Sequence, residues 1–424
     1  MKLTIFQAGK GDSLLLTSQA GTNLMIDGGM PDAYSQFIAP HLGALQQRGE
    51  SIDLLYVSHI DQDHVGGVLR LLDDLIDWRV YDYQLTRPGA SPKEPTAPRP
   101  PPIRAIWHNA FSTLLAKNAG AIESMLAQSA AALSCASASD LRAEALAQAE
   151  LAQSIQEAIR VSQRISARQL GIALNADFGG RLALVGAPGS AGVPLGDLKI
   201  SVIGPFGRDL TRLRGEWNTW LKDHQARISS LLKRARIDED RLGNEGGDAL
   251  GPLIEAADAM GDRTEVTAPN LASLMLLVEE AGKSALLTGD GHWQDILAGL
   301  KHHGRLNPAV RAHFDLLKVQ HHGSEYNWSK QFSEQISADR YVFCGNGEHE
   351  NPDPRVVQII CDAAGAAGSP GASLYFNTSS ASAPDVPTRA HMARLEKLVK
   401  QNQTRYGAKL KAQFCSVPSL ELVF

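Results

Sequence analysis

Four side chains able to bind metal stand close together, directly after an apolar segment expected to form a buried strand. In the sequence SHIDQDHVGG, His59, Asp61, Asp63 and His64 fall within six residues and precede two glycines. Side chains two residues apart in extended backbone point the same way, so His59 and Asp61 are expected on one side, while Asp63 and His64 can turn to a second metal. Imidazole and carboxylate suit a borderline or hard divalent ion. The alternative is a polar loop with an aspartate helix cap and solvated histidines.

Two later segments offer further ligands. Asp290 follows an apolar strand and a glycine in LLTGDGH, where its carboxylate could bridge two cations. The alternative there is a type I turn, to which Asp-Gly is well suited. In LKVQHHGS, His321 and His322 stand at another strand end. Adjacent strand residues point to opposite sides, so one of this pair is expected to bind metal while the other faces substrate or solvent.

The elements that must position these residues alternate between strands and helices, an arrangement in which sites gather at the carboxyl ends of strands. The first part of the chain predicts a β-meander followed by two helices around a buried strand. The strands are Lys2–Ala8, Ser13–Ser18, Asn23–Ile26 and Leu54–Val57. The helices are Tyr34–Gln47, interrupted at Pro40, and Val65 to about Ile76.

The rest of the chain predicts a proline-rich connector, an insertion and a second run of strands. Seven of the 21 prolines fall in Arg87–Pro102, which is expected to be extended, and Phe111–Leu170 has the composition of helices. Further predicted strands are Arg181–Val185, Leu198–Ile203, Leu274–Val278 paired with Ala285–Leu287, Leu316–Val319 and Tyr341–Phe343. Basic helices are predicted at Leu210–Arg236 and Thr388–Gln401.

Composition argues against several classes of protein, including highly basic, disulfide-rich and membrane-spanning ones. The chain has 424 residues and a formal net charge of −5, which argues against coating nucleic acid through overall basicity. Its four cysteines are widely spaced and form no CxxC pair, so a disulfide framework and a zinc ribbon are both unsupported. With no export signal and no apolar run of roughly 20 residues, the protein is expected to be soluble, cytoplasmic and free of membrane contacts.

The order of the motifs resembles the metallo-β-lactamase superfamily, specifically the branch that includes the hydrolase domain of the competence protein ComEC. GKGDS at Gly9–Ser13, MIDGG at Met25–Gly29, SHIDQDHVGG, the Asn270/Ser273 segment, LLTGD and HHGS occur in the family's order. The resemblance covers about residues 1 to 110 and 265 to 380. It implies an α/β fold, a four-layer αββα sandwich, whose core comprises residues 1–110 and 265–424. The latter range ends with the basic helix, and a mostly helical insertion with returning core strands occupies 111–264.

The resemblance also implies a ligand set for two metals. His59 and Asp61 would bind one ion, Asp63 and His64 the other, and Asp290 would bridge them, with His322 as the preferred last ligand. Asp27 corresponds to a buried carboxylate that orients a ligand, although an aspartate before two glycines also suits a simple turn. The residues expected to take part in the chemistry are Asp63, Asp290 and His321.

Three departures from the family pattern affect the expected metal. Asp61 replaces the more familiar histidine, Asn270 stands where glyoxalase-type members have a histidine, and Asn351 takes the place of a later one. Two divalent ions are expected, manganese or zinc, with magnesium also possible, because oxygen ligands replace imidazoles.

Three more side chains are candidates for the substrate cleft. His349, two residues before Asn351, could protonate a leaving group. The alternative is a surface histidine without a role in the chemistry. His108, at a predicted strand end, could line the same cleft. Lys10 could reach a bound anion.

A metal pair bridged by Asp290 would generate hydroxide at neutral pH and hydrolyse an ester. The resemblance implies a phosphodiesterase, in particular a nuclease with DNA or RNA as substrate; protein partners are not indicated. Exposed basic residues could bind the phosphate backbone of the substrate. The alternative is that they only form the solvated faces of helices. They are Arg208, Arg212, Arg214, Lys222, Arg227, Lys233, Arg234, Arg236, Arg389, Arg394, Lys397 and Lys400. The alternatives are a small-molecule ester or lactone hydrolase and a catalytically silent binding module.

Overall fold

Two mixed β-sheets form the centre of the computed structural model, which describes residues 1–109, 157, 160–208, 273–307 and 310–424. Within these residues the first sheet has seven strands in the order β15-β1-β2-β3-β4-β5-β6. Its strands are β1 (Lys2–Phe6), β2 (Leu14–Thr17), β3 (Asn23–Ile26), β4 (Leu54–Val57), β5 (Ala105–His108), β6 (Ala173–Leu174) and β15 (Ser419–Val423). Pairing is antiparallel from β15 to β3 and parallel from β3 to β6.

The second sheet has eight strands among the described residues, in the order β14-β13-β12-β11-β10-β9-β8-β7. Its strands are β7 (Val193–Leu195), β8 (Leu198–Gly204), β9 (Met275–Glu280), β10 (Lys283–Leu287), β11 (Ala312–Lys318), β12 (Ile336–Phe343), β13 (Ala372–Phe376) and β14 (Leu410–Phe414). The strands from β10 to β14 are parallel, whereas those from β7 to β10 pair as antiparallel neighbours.

The alternation of side chains along each strand divides the apolar core into layers. Leu14 and Leu16 of β2 pack between the two sheets, in one cluster with Val278 and Leu316 of the second sheet. Leu15 points the other way and packs in a cluster formed with the first group of helices. Because successive strand residues face opposite sides, each sheet buries one face against the other sheet and one against helices.

Helices cover both outer faces. The first sheet is covered by α1 (Pro31–Ala33), a π-helical turn (Tyr34–Ile38), α2 (Ala39–Gln47) and α3 (Gln62–Leu85). The second is covered by α4 (Trp293–His302), α5 (Lys330–Gln335), α6 (Pro354–Gly365) and α7 (Val386–Tyr406). The layers therefore run helix, sheet, sheet, helix, which confirms the predicted four-layer α/β sandwich. None of the described helices is long and apolar enough to cross a membrane.

Most of the predicted core strands are confirmed, and two of them, Asn23–Ile26 and Leu54–Val57, have the predicted bounds. The predicted strand Arg181–Val185 is wrong. The main chain of Ala183 bonds to the side-chain amide of Asn109 and not to a neighbouring strand. The Ala183 N–H donates to Oδ1 of Asn109 at 2.8 Å, and Nδ2 of Asn109 donates to the Ala183 oxygen at 2.9 Å.

The predicted interruption at Pro40 is also wrong. The chain is helical from Pro31 to Gln47 because the π-helical turn ends just before this proline, and the Ala39 N–H donates to the oxygen of Tyr34. The missing N–H of Pro40 thus falls directly after this wider i to i−5 hydrogen bond, where the regular i to i−4 pattern is already interrupted. Most of the predicted insertion at 111–264, including the Leu210–Arg236 helix, lies outside the described residues, so that division of the chain stays a prediction.

Candidate metal centre

The two sheets bring the ends of three strands to one place. His59 follows β4 of the first sheet, whereas Asp290 and His322 follow the adjacent parallel strands β10 and β11 of the second. Nε2 of His59 lies 3.6 Å from Oδ2 of Asp290, across the gap between the sheets. Beside them, the Asp290 N–H donates to the hydroxyl of Ser273 at 3.3 Å. The cluster therefore stands where carboxyl ends of strands from both layers meet.

Asp290 is the common neighbour of the described imidazoles in this cluster. Its Oδ2 lies 3.4 Å from Nε2 of His322 and 3.8 Å from Nε2 of His321, in addition to the contact with His59. Its Oδ1 lies 3.5 Å from Nε2 of His64. Four imidazoles thus turn the same ring nitrogen towards one carboxylate, which is only 2% exposed.

The Asp27 carboxylate fixes the orientation of the His64 ring directly and that of the His59 ring through Ser58. Its Oδ2 accepts from the Ser58 hydroxyl at 2.7 Å and from Nδ1 of His64 at 2.9 Å. Because that hydroxyl gives its proton to Asp27, it accepts from Nδ1 of His59 at 3.0 Å. With Nδ1 donating in both rings, Nε2 is the nitrogen of each that a metal ion can bind in place of a proton.

The other two imidazoles are set in the same way by groups of the second sheet. Nδ1 of His322 donates to the main-chain oxygen of Cys344 at 2.6 Å. Nδ1 of His321 lies 2.7 Å from Oδ1 of Asn327, whose Nδ2 donates to the main-chain oxygen of Asp290 at 2.9 Å. With Nδ1 engaged by acceptors, Nε2 of each ring is free to bind a cation or a substrate group.

Two further carboxylates divide the cluster into halves. Oδ2 of Asp61 lies 3.5 Å from Nε2 of His59. Oδ2 of Asp63 lies 3.1 Å from Nε2 of His322 and 3.8 Å from Nε2 of His64. The structure thus brings together all six residues expected to bind metal, with Asp290 common to both halves.

Several atoms of the clustered side chains lack a hydrogen-bond partner. Within the described part of the chain, Nε2 of His59, Nε2 of His64 and Oδ1 of Asp290 are buried and make no hydrogen bond. A buried acceptor left without a donor costs about 1–3 kcal/mol. Divalent cations would satisfy these lone pairs, so the donor set fits the expected metals.

The electrostatic environment favours cations. Burial acts against the charge on the imidazole of His64, but Asp290, Asp63 and Asp12 raise the pKa of this ring well above its ordinary value. Burial likewise acts to raise the pKa of Asp290, and the surrounding histidines lower it well below its ordinary value. Buried carboxylates concentrated at one point attract positive charge, which protons or metal ions can supply.

Two charged residues of the cluster were not singled out from the sequence. Asp12 lies inside the GKGDS motif, and its Oδ1 is 3.1 Å from Nδ1 of His322. Oδ2 of Asp12 forms an ion pair with Lys318. Ligand atoms of Asp12, His64, Asp290 and His322 all lie within 4.8 Å of one another. A lysine inside the apolar strand sequence Leu-Leu-Lys-Val was the signal that could have drawn attention to the pair.

Strained backbone supports the site. Asp27, His321 and His322 have φ values of 53°, 47° and 54°, in the left-handed region that non-glycine residues rarely adopt. Such strain costs of order 1–3 kcal/mol for each residue and is typical of functional sites. Gly11 of the GKGDS motif is needed for packing, since a Cβ there would lie 1.7 Å from the main-chain oxygen of Asp63.

The remaining candidates are less closely associated with the cluster. His108 is buried at the end of β5, where burial lowers its pKa to about 4. Lys10 lies with its Nζ 4.0 Å from Oε2 of Glu348. His349 is exposed and the structure does not bring it into the cluster. Asn270 lies outside the described residues, as do the basic residues from Arg212 to Arg236.

One segment of the chain, which contains the first four candidate ligands, matches a known protein family. Residues 7–89 match the family model of the metallo-beta-lactamase superfamily. No curated protein matches the chain. Among solved structures, Zn²⁺-bound PqqB from Methylobacterium extorquens is similar over 100% of both chains, with 11% sequence identity and a TM-score of 0.38. The superfamily match suggests a metal-dependent hydrolase; the ComEC-like branch stays a prediction.

Proposed function

We propose that this chain is a phosphodiesterase that cleaves nucleic acid with the help of two divalent cations. One observation carries the proposal: imidazoles whose Nδ1 atoms are already engaged turn Nε2 towards the single buried carboxylate of Asp290. That arrangement leaves lone pairs without donors, which a purely structural cluster would avoid. It therefore supports a metal-dependent enzyme over a silent binding module.

Each half of the cluster would hold one cation. His59 and Asp61 would hold the first, Asp63, His64 and His322 the second, and Asp290 would contact both. Two divalent cations held by these residues would supply Lewis acidity and would lower the pKa of a bound water at neutral pH. The Asp27 carboxylate and the Cys344 main-chain oxygen fix the rings that bind them.

His321 is the imidazole best placed to meet the substrate. Its side chain is 27% exposed, whereas those of His59, His64 and His322 are 1%, 0% and 8% exposed. Asn327 holds both this ring and the main chain of Asp290, and so fixes the distance between them. Nε2 of His321 can exchange a proton with a group bound beside Asp290, the role of a general acid or base.

The choice of a phosphodiester rests on charge and ligand type. Carboxylate-rich sites suit the hard cations that commonly act on phosphates. Lys10 lies in the loop before Asp12, where its ammonium group could contact a phosphate oxygen. The basic residues between Arg208 and Arg236 offer further contacts to a phosphate backbone.

Cleavage assays test the proposal directly. The purified protein is incubated with single-stranded DNA, duplex DNA and RNA, each with manganese, magnesium or zinc, and with a set of small esters and lactones. Cleavage of a nucleic acid that is abolished in Asp63→Asn supports the proposal. Hydrolysis of a small ester or lactone with no cleavage of any polymer overturns the choice of nucleic acid, and no metal-dependent hydrolysis at all overturns the enzyme.

A further inference from the structure

A buried ion pair between Lys318 and Asp12 lies next to Asp290 and His322, two of the metal-binding side chains. The side chains of Lys318 and Asp12 are 2% and 1% exposed, and Nζ of Lys318 contacts Oδ2 of Asp12. The same ammonium group donates to the main-chain oxygen of Gly289 at 2.9 Å and lies 3.6 Å from Oδ1 of Asp290. One fixed positive charge therefore touches both an outer carboxylate and the carboxylate at the centre of the cluster.

The other oxygen of Asp12 is directed at a ligand ring. Oδ1 lies 3.1 Å from Nδ1 of His322, which also donates to the Cys344 main-chain oxygen at 2.6 Å. A carboxylate beside Nδ1 increases the electron density of the ring and makes Nε2 a stronger metal ligand. Lys318, Asp12 and His322 thus form a continuous line of contacts that begins and ends at Asp290.

Stability alone does not account for such a pair. Removing two charges from water costs several kcal/mol per ion, and replacing a buried pair by neutral side chains of similar volume is often neutral or stabilising. Charge balance gives a functional reason. Asp12, Asp27, Asp61, Asp63 and Asp290 bring five carboxylates to this region, two divalent cations would bring four positive charges, and Lys318 supplies the fifth.

We propose that Asp12 and Lys318 are positioning residues of the metal centre, which hold the His322 ring and the Asp290 carboxylate in the geometry that binds the cations. This inference rests on the metal binding in the proposed function, and it adds two residues that need not contact the metal. Asp12 acts through His322, and Lys318 acts through Asp12 and Asp290.

The test replaces the pair without changing the net charge. The double variant Asp12→Asn/Lys318→Met leaves no unpaired buried charge, so its metal-free form is expected to unfold in urea at close to the wild-type free energy. Its affinity for Mn²⁺ or Zn²⁺, measured by calorimetry on the metal-free protein, is expected to fall by about 10- to 100-fold. If this variant does not fold, Asp12→Asn/Lys318→Gln keeps a hydrogen bond between the two positions and takes its place.

A control ion pair joins β10 to β11, the strand that contains Lys318. Lys283 of β10 pairs with Asp315 of β11 at 2.7 Å, away from the metal-binding side chains. Asp315→Asn/Lys283→Met is expected to leave metal affinity unchanged. Wild-type affinity in the Asp12/Lys318 double variant overturns this inference alone and makes the pair a structural ion pair. A wild-type protein that binds neither cation overturns both this inference and the proposed function.

Discussion

Nε2 of His322 lies 3.1 Å from Oδ2 of Asp63, although the two side chains follow strands of different sheets. A cation bound between them would tie the sheets together. Binding to the folded state alone adds about 2.7 kcal/mol of stability when the free metal is at 100 times its dissociation constant. We therefore predict that Mn²⁺ or Zn²⁺ raises the melting temperature of the metal-free protein in scanning calorimetry. Elemental analysis should find up to two cations per chain, and a melting temperature unmoved by either metal would contradict the prediction.

The histidine pair should separate metal binding from catalysis. His322→Ala removes a buried ring that faces Asp63 and Asp290, so elemental analysis should show loss of bound metal. His321→Ala removes the more exposed ring, so the metal should stay while the rate of hydrolysis falls by about 10²- to 10⁴-fold. The reverse pattern, with metal released only in His321→Ala, would assign the ligand to the other ring.

Asp63→Ala and His64→Ala should each abolish hydrolysis in a folded protein. His64 faces Asp290 and Asp63 lies beside His64, whereas the apolar cores between and outside the sheets include neither residue. The circular dichroism spectrum should remain that of the wild type. Activity close to wild type in either variant would place the chemistry elsewhere.

Asp74 on α3 should make stability depend on pH. It is 2% exposed, and burial raises its pKa to about 6 despite the attraction of Arg70; the other groups facing it are Tyr34, Asp77 and Asp73. A carboxyl group whose pKa is higher in the folded state stabilises that state fully at pH values below its ordinary pKa of about 3.9. This stabilisation is lost as the pH rises through the folded-state pKa of about 6. Asp74→Asn should therefore be more stable than wild type at pH 7, by about 1–3 kcal/mol, and the difference should vanish near pH 4. Urea unfolding of both proteins at each pH measures it, and a difference independent of pH would contradict the assigned pKa.

Nucleic-acid binding should depend on the basic residues between Arg208 and Arg236. Replacing Lys233, Arg234 and Arg236 by alanine is expected to weaken binding and to lower the slope of affinity against salt by roughly one for each phosphate that is no longer neutralised. Fluorescence anisotropy across a salt series measures this slope. The same variant should keep its metal and its activity on bis-p-nitrophenyl phosphate. An unchanged slope would mean that these side chains do not neutralise phosphates.

The sequence predicted the parts of the site that are local. His59, Asp61, Asp63 and His64 stand within six residues after an apolar strand, so their types and spacing alone indicate a metal. Asp12 and Lys318 could not be found this way, because the contact between them joins residues 306 positions apart and depends on how the two sheets face each other. Similarly, β15 has a mostly alternating pattern typical of many strands, and only its pairing with β1 identifies it as part of the first sheet.

That pairing has a consequence for the time course of folding. β1 at Lys2–Phe6 is bordered on one side by β2 and on the other by β15 at Ser419–Val423. During synthesis, the open edge of β1 must stay unpaired, or be shielded by another protein, until residues more than four hundred positions later have left the ribosome. Contacts so distant along the chain slow folding and leave a strand edge exposed to aggregation in the interval.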